Sequence, residues 1–547
     1  MMGTTGGRAS DADSAPAGLV FRDASAVWWL GDVRARVRQM VQGLPVRPSP
    51  RELIDVFLWA SAYEAASADC GCADARAGEL TDELARALEG DETSLARAQA
   101  HAGLLAEANL SCTVRRPEGF SYYALWPCDV MATARRLPVP AGPVVVVGIR
   151  TTGTAMSALV RVVLEAQGHP VRRLTVRPIG HPYDRRVEED GQAVREVLAD
   201  RAATFVVVDE GPGLSGSSFL SSAEWLTGLG VPATNILLLG TRVPDPDALL
   251  SPQGAARWRC YRSLHIERSS LPGEDLSGGA WRRLLAAGEW PASWVGMERL
   301  KCLLPASSGR PARVAKFEGL GSFGAEAWMR AHQLWEAGFG PRPGPPDDRG
   351  MVAYPLLQGR RPGPGLVGRW LDRLARYCWF RRRSFPAGAA DGAQLQCATT
   401  YNVAQELGTE WKGDLPVLAP IVVDGRMQPW EWVQSDRGAG PLLKLDATSH
   451  GDDHFLPGPT DVAWDLAGAV VEWSMRDDTR DEFLRLYACL SGDRDLGRVA
   501  AYEIAYAAFR AAYCGMASHA SGPDEEARLR AARERYRRAG RRAFLRQ

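Results

Sequence analysis

Between residues 143 and 240 the chain alternates short apolar runs with amphipathic stretches, and this alternation constrains the fold more than any other feature. "PVVVVG" reads as a strand buried on both faces. "GTAMSALVRVVLEAQG" reads as a helix ending at Gly168, "VRRLTVRP" as a second strand and "GQAVREVLAD" as a helix. "ATFVVVDE" then gives a third strand, "SSFLSSAEWLTGLG" a helix and "TNILLLG" a fourth strand. Strand and helix in turn predict an α/β fold, a parallel sheet covered by helices. Ligands of such sheets bind beyond the carboxyl ends of the strands.

The flanks differ in character. Residues 19–135 read as a helical N-terminal segment, with apolar residues at helical spacing in "PRELIDVFLWASAYEAA" and "LTDELARALEG". Residues 1–18 read as a disordered tail without the apolar stretch of a signal peptide. The α/β domain occupies 136–300, and a second unit, 305–520, begins after "LLPASSGRPA". There "RVAKFEG" is strand-like, "GAEAWMRAHQLWEAGF" helical, "GPRPGPPDDRG" a loop and "MVAYPLLQG" a strand; the rest is mostly helical, apart from strand-like pieces at 417–424 and 441–446. Residues 521–547 read as a basic, solvated helix with i,i+4 charge pairs.

At 547 residues the chain is too long for one ordinary core, so two or three domains are expected. Net charge is zero, which argues for neither nucleic acid nor a membrane surface. No apolar run approaches ~18 residues, so no membrane span is expected. The ten cysteines are scattered, which fits reduced thiols and a cytoplasmic location; the lone "CGC" at 70–72 lacks a second pair for zinc. The only four lysines are Lys301, Lys316, Lys412 and Lys444, so each carries information.

The most informative stretch is "FVVVDEGPGLSGSSF", 205–219. Gly211, Gly213 and Gly216 allow a tight turn and close approach to a ligand. Free N–H groups opening a helix, with the hydroxyls of Ser215, Ser217 and Ser218, suit a phosphate. Asp209 and Glu210 suit hydroxyls or a divalent cation instead. A phosphate close to a vicinal diol is a sugar phosphate, most simply ribose 5-phosphate.

This run resembles the ribose-phosphate signature of the type I phosphoribosyltransferases, over residues ~140–270. The resemblance implies that Asp209 and Glu210 face the ribose and stabilise charge on it during catalysis. It implies that Gly213 and Ser215–Ser218 cradle the 5-phosphate. It also implies that Arg150, Thr151, Thr152, Gly153 and Thr154, in "VVVVGIRTTGTAMSALV", hold pyrophosphate. His181, Arg185 and Arg186, with Arg177 nearby, would close over the diphosphate, and "PEGFSYYALWP" would belong to the hood around an acceptor. One departure stands out: four residues separate the acids from Ser215-Gly216, where the family has three.

The second unit, over ~312–515, resembles the aminoglycoside phosphotransferases and their kinase-like α+β fold. Lys316 and Glu326 take the places of the family's nucleotide-aligning pair. "DVAWDLA" resembles the family's element around Asp461 and Asp465, which the resemblance makes structural. Asp446 falls where the family's metal-binding aspartate sits, with Lys444 two residues before it on the same strand face. Asp424 stands where the catalytic aspartate would, but Pro429 replaces the asparagine five residues on. An active kinase, a degenerate one and a reprogrammed site all stay open. In "HGDDHF", His450, Asp452, Asp453 and His454 suit a metal and equally a hydrogen-bonded loop.

Together the resemblances imply an enzyme that uses phosphoribosyl diphosphate and Mg²⁺ on a small-molecule acceptor, with ATP as the ligand of the second unit. The alternative is a regulatory protein that senses nucleotides or phosphoribosyl diphosphate.

Overall fold

The computed structural model describes residues 18–546 except 23–24, 73, 108–109, 190–193, 196–198, 286–289, 308, 310, 360, 364–367, 389–391 and 435–439. The expected N-terminal tail, apart from Gly18, and most of the helix expected at 191–200 fall outside these residues.

Five strands form a parallel sheet: β1 (Val144–Ile149), β2 (Val171–Val176), β3 (Thr204–Val208), β4 (Ile236–Gly240) and β5 (Arg262–His265). Their order is β2-β1-β3-β4-β5, with every neighbouring pair parallel. The first four are the strands expected from the alternation; β5 was not anticipated. The connections from β1 and β3 leave toward opposite edges, and that reversal opens a crevice at their carboxyl ends. Helix α1 (Thr152–Ala166) follows β1 and helix α2 (Ser217–Gly228) follows β3. Val144 and Val146 join one core with α1 and the N-terminal helices, while Val145 and Val147 join another with Phe219 and Leu220 of α2. A strand covered on both sides reads as continuous valine for this reason. Between β2 and β3 a small arm projects, Pro178–His181 paired antiparallel with Asp184–Val187.

The N-terminal segment contains the expected helices, including Pro50–Asp69, whose start is fixed by a reciprocal capping box between Ser49 and Glu52. It is not wholly helical: Ser25–Trp29 pairs antiparallel with Ser111–Arg115. That pairing joins the two ends of the segment, which helical spacing read locally does not reveal.

A second sheet is antiparallel, in the order β6 (Glu274–Asp275), β7 (Lys301–Leu304), β8 (Arg313–Phe317), β9 (Met351–Pro355). The strands β7 and β8, which flank the stretch expected between the two units, pair antiparallel inside this one sheet. A single apolar core runs from the N-terminal helices through β1 and β3 to Cys302, Ala315, Phe317 and Met351 of this sheet. The helical remainder builds its own core around Trp432, Trp464, Trp473 and Tyr506.

The C-terminal helix, Pro523–Phe544, corrects the expectation of a solvated helix. It has an i,i+4 pair, Arg530 with Glu526, but Leu529, Ala532, Tyr536 and Ala543 are buried against Val499–His519. Arg533 and Arg537 both reach Glu406 at 2.9 Å. Its spacing is amphipathic, and the arginines fall on distant acids rather than only on neighbours. Among the described residues no helix is long and apolar enough to cross a membrane.

Candidate functional site

A cleft of about 960 Å³ opens at the carboxyl ends of β3, β4 and β5. Asp209, Glu210 and all of 211–219 line it, as do Tyr183 and Arg185 of the arm and Thr241 and Arg242 beyond β4. Glu118, Gly119 and Tyr123–Leu125, from the segment expected to form a hood, close one side, and His454 of the second unit reaches the same space.

The two acids sit half-buried at the end of β3. The Thr152 hydroxyl donates to Glu210 Oε2 at 2.9 Å. Burial raises the pKa of both carboxyls above the ordinary range. For Glu210 the nearby charges of Glu118 and Asp209 push the same way, and Thr152 and His454 oppose them. For Asp209 the opposing groups are the Glu210 and Gly153 backbone, Arg177 and Arg185. The approach of the hood is close: a Cβ on Gly119 would stand 2.7 Å from Glu210 Oε2. A side chain here would have to displace the Glu210 carboxyl.

Beyond the acids, Gly216 adopts a left-handed conformation, φ +67°, and α2 starts at the next residue. The first N–H groups of α2 therefore open onto the loop. The Ser215 and Ser217 hydroxyls donate to the Pro182 carbonyl at 2.9 and 2.7 Å, so the arm's tip lies on the loop. Ser218 and Gly213 also line the cleft. Arg242 Nε donates to the Pro212 carbonyl at 2.8 Å. Among the described residues neither Arg185 nor Arg242 forms an ion pair, and burial lowers both pKa values. Two cationic side chains without a carboxylate partner among the described residues, beside a serine loop, give the cleft an electropositive side. Arg242 had no motif to mark it; its signal is its place, two residues past a buried strand at the ligand-binding edge.

The expected pyrophosphate loop is arranged differently. Arg150 is held by Asp69 at 3.3 Å and Glu189 at 2.8 Å. Arg177 is held by Asp69 at 2.6 Å, and it donates to the Arg150 carbonyl and the Thr151 hydroxyl at 2.8 and 3.2 Å. The cleft wall does not include Arg150, Thr151, Thr152, Gly153 or Thr154. Asp69, on a distant helix, captures both arginines, which no local motif signals. Thr151 has φ +105°, a strained conformation for a β-branched residue, held by these contacts. Gly153 passes so close to β3 that a Cβ would meet the Val208 carbonyl at 2.4 Å. The Thr154 hydroxyl is buried without a hydrogen-bond partner among the described residues. Of the other basic residues expected on the arm, Arg186 is exposed and paired with Glu188 at 2.6 Å, and exposed His181 accepts the Tyr183 N–H at 3.3 Å. Arg185 alone of the three lines the cleft.

The second unit has its own acidic centre, and it is closed on itself. Lys316, on β8, reaches Asp446 at 2.6 Å and Glu318 at 3.6 Å. Lys444 pairs with Glu431 and stands 3.4 Å from Asp424. His450 lies between the aspartates, 3.8 Å from Asp424 and 3.4 Å from Asp446. The Tyr377 hydroxyl donates to Asp424. Asp424 and Lys444 have no exposed side-chain surface. Burial disfavours each charge, but Lys444, His450 and Arg381 hold the Asp424 pKa low, and Lys316 and His450 do the same for Asp446. Glu326, expected to meet Lys316, instead pairs with Arg116 of the N-terminal segment at 3.3 Å. It lies on the exposed side of its helix, where it turns toward the hood. Asp465 accepts the N–H groups of Asp424 and Gly425 at 2.8 and 3.0 Å, and Asp461 binds Arg498 at 2.9 Å.

A magnesium ion or a magnesium nucleotide does not fit this donor set as arranged. Lys316 and His450 already stand at Asp446, and Lys444 and His450 at Asp424, so neither carboxylate is free for the ion.

Among solved structures, the chain is similar to the choline kinase LicA from Streptococcus pneumoniae, with 14% identity over 48% of this chain and 94% of that chain, at a TM-score of 0.30. It is similar to LicA in complex with AMP, with 13% identity over 47% and 91%, at 0.30. It is also similar to a choline/ethanolamine kinase family protein from Mesorhizobium loti, with 16% identity over 45% and 89%, at 0.28. At these identities and scores no property of those kinases passes to this chain. No family model and no curated protein matches it.

Proposed function

We propose that the chain is a phosphoribosyltransferase-like enzyme whose working site is the cleft at the end of β3, with a kinase-like second unit fused to it. The observation that carries this reading is the shared cleft: paired acids, a serine loop opening a helix, and two arginines without carboxylate partners among the described residues face one space at the carboxyl ends of β3, β4 and β5. The acids suit the ribose hydroxyls and the developing charge of the ring; the loop, Arg185 and Arg242 suit phosphate groups. In the reaction the bond from the anomeric carbon to diphosphate breaks, and diphosphate leaves with the electron pair. The acceptor forms the new bond at that carbon and gives up a proton.

Two adjacent carboxylates fit a Mg²⁺ ion that arrives on a diphosphate, and such an ion would shield the charge of the leaving group. Arg150 is spent on Asp69 and Glu189, so the leaving diphosphate falls to Arg185 and Arg242 in this reading. For the second unit, the closed ionic centre favours a scaffold over a second phosphotransferase.

The test is pyrophosphate release from phosphoribosyl diphosphate and Mg²⁺ with a deproteinised metabolite extract as acceptor source. Release is expected from the native protein and not from the double variant Asp209→Ala, Glu210→Ala. Equal release from both would refute the assignment. Saturable binding of phosphoribosyl diphosphate with no release would favour the sensor, which the Pro182 carbonyl lying on the serine loop also suits, since a phosphate must displace it.

A further inference from the structure

The loop 449–455 of the second unit ends in the first unit's cleft. It is pinned from several sides: the Tyr122 hydroxyl donates to the Asp452 carbonyl at 2.6 Å, Arg330 pairs with Asp452, and the Arg22 N–H donates to the His454 carbonyl at 2.7 Å. The Phe455 N–H donates to Asp453 Oδ1 at 3.0 Å. The His454 ring packs in a cluster with Phe21 and Phe455, with centroids 5.0 and 4.7 Å away. Its Nδ1 stands 2.9 Å from Glu118 Oε2 and 3.0 Å from the Tyr123 hydroxyl. Glu118, Tyr123 and His454 all line the cleft that holds Asp209 and Glu210.

This cluster is chemically unlike the serine loop and the two arginines that line the same cleft. Arg185, Arg242 and the serine loop attract phosphate, whereas the His454 imidazole is already engaged by Glu118 and leaves phosphate no free cation on this side. A hydrogen-bonding group set apart from the phosphate pole suits the other reactant. Resting on the reading of the cleft given above, we propose that Glu118, Tyr123 and His454 form the acceptor-binding wall, so that the second unit completes the first unit's site. The acceptor this wall fits presents an N–H or O–H to Glu118 and a carbonyl or ring nitrogen to Tyr123 and His454. Gly119, the residue after Glu118, lies against Glu210, where a Cβ would stand 2.7 Å from Oε2, which places the wall next to the sugar end of the site.

The experiment is pyrophosphate release by the full chain, titrated separately with phosphoribosyl diphosphate and with the metabolite extract. His454→Ala is expected to raise the half-saturating extract concentration about tenfold, the worth of one charged hydrogen bond, and to shift that for phosphoribosyl diphosphate by less than about twofold. His454→Gln, which keeps a donor, should recover part of the loss. Glu118→Gln, which keeps the shape, should act like His454→Ala and guards against a folding defect there. Folded variants with unchanged extract titrations would overturn the wall while leaving the cleft reading intact. An equal rise for both reactants would overturn it too, as a general disturbance. Absence of release from the native protein would instead bring down the cleft reading and the wall together.

Discussion

The two acidic centres of this chain are built from the same kind of residue and have opposite surroundings. Asp209 and Glu210 follow a buried strand, meet a hydroxyl and backbone N–H groups, and have no cationic side chain within ion-pair distance among the described residues. Asp424 and Asp446 also stand just past short strands, yet Lys316, Lys444 and His450 contact them directly. Burial raises the pKa in both places. In the first it prevails; in the second the cations overcome it. A buried carboxylate left without a counter-charge is costly, and such cost is concentrated where a ligand relieves it. The cleft pair therefore reads as a receiving site and the second pair as a filled one.

The comparison breaks most easily at Lys444. Lys444→Met leaves Asp424 buried and short of its cation, and should destabilise the fold by about 3–5 kcal/mol in denaturant unfolding. A loss under about 1 kcal/mol would show that the second centre is not neutralised in this way. Asp209→Asn should do the reverse: lower turnover by about 10²–10³-fold, with no loss of stability at neutral pH. If it unfolds the protein as Lys444→Met does, the two centres are alike after all. Gly119→Ala sharpens the picture of how closely the hood lies on Glu210. The added methyl should cost about 1–3 kcal/mol and lower turnover; a silent variant would mean that the hood yields there.

The smallest effect is a difference in pH slope. The folded-state pKa of Glu210 is raised, so its contribution to stability is fully present below its unfolded value and lost as pH climbs through the folded one. Glu210→Gln keeps the neutral form, so its advantage over the native protein should grow by about 1 kcal/mol from about pH 5 to about pH 8. The Asp446 pKa is lowered, so its contribution is lost only as pH falls into the acid range. The deficit of Asp446→Asn should stay level over the same interval. Parallel slopes in unfolding curves would contradict the contrast between the centres.

What the sequence disclosed follows from the range of the interactions involved. β1 to β4 were legible because burial on both faces writes itself into consecutive residues, and the acids with the serine loop were legible because strand, turn and helix start are contiguous. The Ser25–Trp29 pairing and the place of β7 were not, because each depends on a partner strand outside any local window. The pairing of Arg150 and Arg177 with Asp69 was hidden for the same reason. His454 was noticed as a donor in "HGDDHF", but its address in the other unit's cleft comes only from folding.

That loop has a consequence for how the chain changes over time. His450 faces Asp424 and Asp446, and four residues later His454 faces Glu118 and Tyr123. One short segment thus answers to two neighbourhoods at once. The halves of this molecule are not free to diverge independently: in a set of relatives, exchanges at 450 and 454 should travel with exchanges at 424, 446, 118 and 123. A lineage that lost either half would be expected to lose the histidines with it.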